Sequence, residues 1–172
     1  MSTYVALLRA VNVGGTGKLA MSQLKSICID AGFERVETYI ASGNVVFDSK
    51  AKPAAVKAAL EARLAAALGK PVGVVVRTAA EIAAVLAANP FAKAKTEPKY
   101  TYVFFLDVAP PSNALETVKG QSDEKLVRGK REIFVHYPSG MGRSKLHIPA
   151  ARTGTSRNMN TVAKLAAMAA QR

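Results

Sequence analysis

The run Thr153-Gly154-Thr155-Ser156-Arg157-Asn158-Met159-Asn160 concentrates hydroxyls, amides and a guanidinium in one place, with Arg152 just before it. It reads as a loop entering a helix, and one Asn or Thr suffices to cap that helix. Capping does not call for Thr155, Arg157 and Asn158 together. An arginine in such a setting grips a phosphate or carboxylate through two parallel hydrogen bonds. A second candidate is the strand-to-helix junction from Arg9 to Lys18, with Asn12 inside it and Gly14, Gly15 and Gly17 around it. Free backbone N–H groups and a positive helix end favour an anion there. The junction is not a P-loop. The motif's first glycine falls on Asn12, and the hydroxyl required after the lysine is replaced by Leu19. A third candidate is Ser42-Gly43-Asn44, where turn chemistry alone accounts for the Gly and the Asn.

Catalysis finds no support in these residue types. Ser42 is poorly supported as a nucleophile, because the spacing of the two histidines, His136 and His147, pairs neither with a serine and a carboxylate. No spacing marks Asp107, Glu116 and Asp123 as an acid–base set, and neither histidine has the neighbours of a metal site. Cys28 is the lone cysteine, which removes an internal disulfide and a cysteine-based metal site. No cofactor is expected, and whether the chain is an enzyme at all stays open.

Charge suggests what else the chain meets. Lys+Arg 24 against Asp+Glu 12 leaves +12. From Lys125 onward ten basic residues face Glu132 alone, a local net of +9. A field of one sign attracts polyanions, although the same charge also keeps an alanine-rich chain soluble. Arg128, Lys130 and Arg131, crowded on a hairpin with Lys125, are candidates for phosphate contacts to nucleic acid, as are Arg143 and Lys145 beyond them. A solvated tip is the plainer alternative. RNA-recognition modules stack bases on aromatics of their central strands. Here the first strand offers Val5, Ala6, Leu7 and Leu8, and the third Val45, Val46 and Phe47. Any nucleic-acid binding is therefore expected to be sequence-nonspecific, through charge and loops. No apolar run approaches the roughly 20 residues of a membrane span, and Met1-Ser2-Thr3-Tyr4 lacks the features of a signal peptide. A cytoplasmic protein is expected, monomeric or homodimeric.

The elements that must hold these residues read as follows. Tyr4 to Arg9 is a buried strand, and Met21, Leu24, Ile27, Cys28 and Ala31 recur at helical spacing until Gly32. Val36 to Ile40 and Val45 to Phe47 flank the Ser42-Gly43-Asn44 turn as a hairpin. Pro53 opens a helix with the stripe Val56, Leu60, Leu64 and Leu68, Gly69 ends it, and Val72 to Arg77 is a fourth strand. This is βαββαβ, the split order of ferredoxin-like folds. Thr78-Ala79-Ala80-Glu81 is a capping box for the next helix, which Asn89-Pro90 ends. Lys93 to Lys99 is a basic loop, Tyr100 to Val108 a strand, and Ser112 caps a short helix through Val118 to Gly120. Lys125 to Arg128 and Ile133 to Tyr137 form a hairpin around Gly129-Lys130, and a last helix is capped by Asn160. The expected class is α+β, built as two ferredoxin-like halves, βαββαβ over residues 1–77 and βαββα over 78–172. The strands starting at Tyr4, Val72 and Tyr100 are apolar on both faces, so each needs cover on both.

Taken together, several stretches resemble a large bacterial family, domain of unknown function 1697. The carriers are Leu7 to Gly15, Met21 and Leu24, Gly32-Phe33 with Val36, Thr38 to Phe47, Asn89-Pro90-Phe91 and Thr155 to Asn158. The resemblance covers nearly the whole chain and departs at Met159, where an aromatic is expected. It implies a two-subdomain α+β fold and brings no established activity. Its polar carriers, Arg9, Asn12, Ser42, Asn44, Arg157 and Asn158, are expected to converge with Lys18 and Thr155 into one pocket between the halves, holding an anionic small molecule.

Overall fold

A computed structural model describes residues 1–12, 18–92 and 97–172. It is an α+β protein of two compact units, one of residues 1–83 with 164–172, the other of residues 84–163. Each unit carries a four-stranded antiparallel sheet.

The first unit runs β1 (Ser2–Leu8), α1 (Met21–Asp30), β2 (Glu34–Tyr39), β3 (Asn44–Ser49), α2 (Pro53–Leu68) and β4 (Val74–Thr78), with sheet order β2-β3-β1-β4. The βαββαβ order read from the sequence is present. Its physical basis is visible in each element. Pro53 occupies the first turn of α2, and Gly69 ends the helix in the left-handed conformation at φ 71°. Leu24 and Cys28 of α1 and Val56, Leu60 and Leu64 of α2 are buried at helical spacing. They form one cluster with Tyr4, Ala6 and Leu8 of β1, Val45 and Phe47 of β3, and Val74 and Val76 of β4. Each such buried leucine contributes about 1.5–3 kcal/mol. Phe33 stacks on Phe47 with ring centroids 4.3 Å apart. Val5 and Leu7 are fully buried as well, so β1 is covered on both faces, as its composition requires.

A buried polar cluster sits beside this core. Asp48 on β3 accepts hydrogen bonds from Thr3 Oγ1 at 2.7 Å and from Arg35 Nε at 2.5 Å. Arg172 brings Nη1 to 3.6 Å from the same carboxylate and donates through Nη2 to the Val46 carbonyl. Burial would raise the Asp48 carboxyl, but the Thr3 and Arg35 hydrogen bonds and the Arg172 and Arg35 charges hold it below the ordinary value. Arg35 reaches it from an irregularity in the β2–β3 register, where its own φ is 49°.

The second unit contains β5 (Thr101–Phe105), β6 (Lys125–Arg128), β7 (Glu132–His136) and β8 (Thr155–Asn158). The sheet order is β6-β7-β5-β8, the first sheet's pattern repeated. α3 (Ala79–Ala87) starts in the first unit, on the expected capping box. Thr78 Oγ1 accepts from Glu81 N at 3.1 Å, and Glu81 Oε1 from Thr78 N at 2.9 Å. α4 (Met159–Ala170) starts in the second.

Four expectations for this half need correction. Residues 112–118 are turns rather than a helix, because Ala114 N bonds to Pro111 O and Glu116 N to Asn113 O, three residues back instead of four. The run from Thr155 to Asn158 is a strand, not a loop, and supplies the fourth strand thought missing. The cap of α4 is Asn158, whose Oδ1 accepts from Thr161 N at 3.0 Å, and Asn160 lies inside the helix. β5 also differs from its expected two-sided burial. Thr101, Val103 and Phe105 are buried, whereas Tyr102 and Phe104 between them are half-buried.

Candidate functional site

In the first unit, β1 and β4 pair so that Leu8 lies opposite Val74, and the backbone bond from Arg9 N to Gly73 O (2.9 Å) carries the register one residue further. Arg9 and Lys70 are exposed and line a cleft of about 160 Å³ with Ala10, Val11, Leu68 and Val72. Arg9 packs its side chain 3.7 Å from where a Cβ on Gly73 would stand. Lys70 had no local motif to mark it. Only the pairing of β1 with β4, and the short α2–β4 connection, bring it to Arg9.

Asn12 closes the junction. Its Nδ2 donates to Leu19 O (2.8 Å) and to Ala41 O (2.9 Å), and its Oδ1 accepts from Leu19 N (2.7 Å). One side chain thus ties both ends of the loop to the hairpin before β3. Gly43, at φ 90°, receives Leu8 N on its carbonyl and passes so close that a Cβ would stand 2.8 Å from Val11 and 2.9 Å from Leu8. Asn44 is buried and donates to Tyr39 O and Ser42 Oγ, both at 2.9 Å. Arg9, Asn12, Ser42 and Asn44 therefore do meet at one end of one sheet, and Lys18 is exposed near the same end of α1. Gly14, Gly15, Thr16 and Gly17 lie outside the described residues.

The backbone at this end is strained. Ala10 (φ 55°), Asn12 (φ 54°) and Ile40 (φ 48°) occupy the left-handed region without being glycine. For a β-branched residue such as Ile40 this is an outlier costing on the order of 1–3 kcal/mol, of the sort that clusters at functional sites.

Thr155, Arg157 and Asn158 belong to the second unit. Arg157 is buried on β8, donating through Nη1 to Thr155 Oγ1 and to Ser156 O, both at 2.8 Å. Burial pushes its guanidinium down to about 10. Its hydrogen bonds thus include two within its own strand, and Asn158 is committed to the α4 cap. Arg128, Lys130, Arg143 and Lys145 are exposed, and Arg131 is half-buried. Among the described residues no three His, Cys, Asp or Glu side chains group as metal ligands, and no helix is long and apolar enough to cross a membrane.

The model of the protein family of unknown function DUF1697 matches residues 1–134. The chain belongs to this family. Over its full length it is similar to a solved structure, the conserved bacterial protein SP0830 from Streptococcus pneumoniae. That likeness covers 99% of each chain at 27% identity, with a TM-score of 0.81. No curated protein matches. For a DUF1697 chain, the residues that carried the resemblance in the first unit prove to be those that shape its sheet end. Asn12 and Asn44 bond to backbone, and Gly43 admits Leu8 and Val11. Met159, the point of departure, is buried at the first position of α4.

Proposed function

We infer that the sheet end of the first unit binds a multiply charged anion, a phosphorylated small molecule being the natural class. Arg9 and Lys70 supply the charge, Lys18 and the Ser42 hydroxyl extend it, and Asn12 and Asn44 hold the two loops in place. The observation that carries this reading is the cleft between Arg9 and Lys70, bordered by backbone held at positive φ in Ala10, with Asn12 just beyond it also at positive φ. Strain of this kind needs a surrounding that over-determines it, and Asn12 provides that. Exposed cations each contribute only about 0–1 kcal/mol to an ion pair, so the ligand must engage several at once. Thr155, Arg157 and Asn158 are not needed for this reading.

Thermal denaturation with inorganic phosphate, pyrophosphate and tripolyphosphate tests it. Stabilisation is expected to grow with ligand charge. A ligand at a hundredfold excess over Kd adds about 2.7 kcal/mol, roughly 5–10 °C for a chain of this size. Arg9→Ala with Lys70→Ala removes the shift. An unshifted wild-type protein across the series sinks the reading.

A second reading, sequence-nonspecific nucleic-acid binding, is favoured by the exposure of Arg128, Lys130, Arg143 and Lys145 in the second unit. Affinity for duplex DNA would then fall with salt by a log–log slope of about 0.9 per phosphate contact. Arg128→Ala with Lys130→Ala would flatten that slope and leave tripolyphosphate binding untouched.

A further inference from the structure

The second unit holds a larger cleft, of about 300 Å³, that the anion site does not use. Its walls are Phe104 from the centre of the sheet, Tyr137 just past β7, and Met141, Leu146 and Ile148 from the chain that follows. His147 and Arg152 stand exposed at its rim. The ring of Tyr137 is set edge-on against Tyr102, with centroids 5.6 Å apart at 87°.

The wall is also pinned. Lys119 and His147 exchange backbone hydrogen bonds of 2.9 and 2.7 Å. Gly120 passes so near Lys145 that a Cβ there would lie 2.1 Å from the Lys145 carbonyl oxygen. Ser144 donates to the buried carboxylate of Glu124 and accepts from Leu146 N at 3.1 Å. A space with room for on the order of ten waters, held open beside a hydrophobic cluster, forfeits dispersion contacts that a collapsed loop would regain. Its volume sits at the small end of ligand pockets. That suits one ring and not a dinucleotide.

The geometry points to a second binding site, for a small planar aromatic ring carrying a phosphate or carboxylate. The ring lies among Phe104, Tyr137 and Met141, and the anionic group faces Arg152 and His147 at the rim. Aromatic faces offset from one another and a methionine thioether at a ring edge are the favourable contacts for such a ring. The Arg152 guanidinium at the rim sets the sign of the substituent.

The test uses the full chain with methyl-labelled methionine, the Met141 signal being assigned through Met141→Leu. Phenyl phosphate and benzoate should shift the Met141 methyl resonance saturably. Inorganic phosphate, which has charge without a ring, should leave it in place, and cyclohexanecarboxylate, which lacks the flat ring, should bind several-fold more weakly than benzoate. Arg152→Gln, on the exposed rim, should weaken phenyl phosphate roughly three- to fivefold, the range of a surface charge contact. Ala151→Leu, which fills the cleft from a partly exposed position, should abolish the shift while the melting temperature is retained. Two outcomes overturn the proposal. One is a Met141 signal unmoved by either aromatic acid in wild type, and the other is an equal shift in the folded Ala151→Leu protein. Neither readout depends on Arg9 or Lys70, so failure here leaves the anion site standing, and the reverse holds too.

Discussion

At the scale of single residues, the polar groups of this chain act first on the backbone. Asn12 spends three hydrogen bonds on Leu19 and Ala41, and Asn44 spends two on Tyr39 and Ser42. His136 is held by side chains instead. It is buried on β7, Nδ1 lies 3.0 Å from Thr101 Oγ1, and its ring packs against Phe91 at 5.6 Å. Burial lowers its affinity for a proton, with Lys125 adding to the effect and Asp123 opposing it. The folded state therefore holds the neutral ring below the ordinary value of 6.5. Between that lowered value and 6.5 the unfolded chain binds more protons, so stability is complete above 6.5 and is lost as pH falls below it. Urea midpoints measured from pH 7.5 to 5.5 should decline in wild type, and His136→Asn should flatten the decline. Asp48, whose carboxyl is also lowered, contributes its own loss only at more acid pH. An unchanged slope in His136→Asn would refute the assignment.

At the scale of elements, the decisive interactions are caps and pairings. Asn158 caps α4 and Asn160 does not. Asn158→Ala should cost about 1 kcal/mol in chemical denaturation, whereas Asn160→Ala, on an exposed turn, should cost no more than a few tenths. Equal losses would return the cap to Asn160. The first unit was legible almost element by element, because Val56, Leu60 and Leu64 mark a helical face and Gly32, Pro53 and Gly69 punctuate the chain. The second was not. Ser112 to Val118 carries a helix-like cap and spacing, yet Pro110-Pro111 and Asn113 favour three-residue turns, and tertiary pairing decides. Thr155 to Asn158 is polar enough to read as a loop, and only its pairing with Tyr102 to Phe105 makes it a strand. The same limit applied to the site. Arg9, Asn12, Ser42 and Asn44 were expected to converge, with Arg157 and Asn158, as polar loop residues that carry the family resemblance, whereas the adjacency of the first four comes from the pairing of β1 with β3. Lys70 and the Phe104–Tyr137 cleft were not foreseeable, since both arise from strand register and leave no local pattern.

At the scale of the molecule, the first unit is discontinuous. Residues 164–172 complete it after the whole of the second unit, and Arg172 brings its guanidinium to the buried Asp48 cluster. Arg172 Nη1 has no hydrogen bond of its own, so the contribution is mainly coulombic. Arg172→Ala should lower stability by about 1–3 kcal/mol, less than a fully broken buried pair because Arg35 still serves Asp48. Guanidinium denaturation measures this. A loss below about 0.5 kcal/mol would show the contact to be idle.

That discontinuity has a consequence for biogenesis. A polypeptide emerging from the ribosome at roughly 5–20 residues per second exposes Met1–Ala83 several seconds before Lys164–Arg172 are made. Until then Asp48 has Arg35 but lacks its second cation. The nascent intermediate should therefore be looser and more open to proteases than one that Lys164–Arg172 have joined, and this returning segment acts as a latch on an early-made sheet.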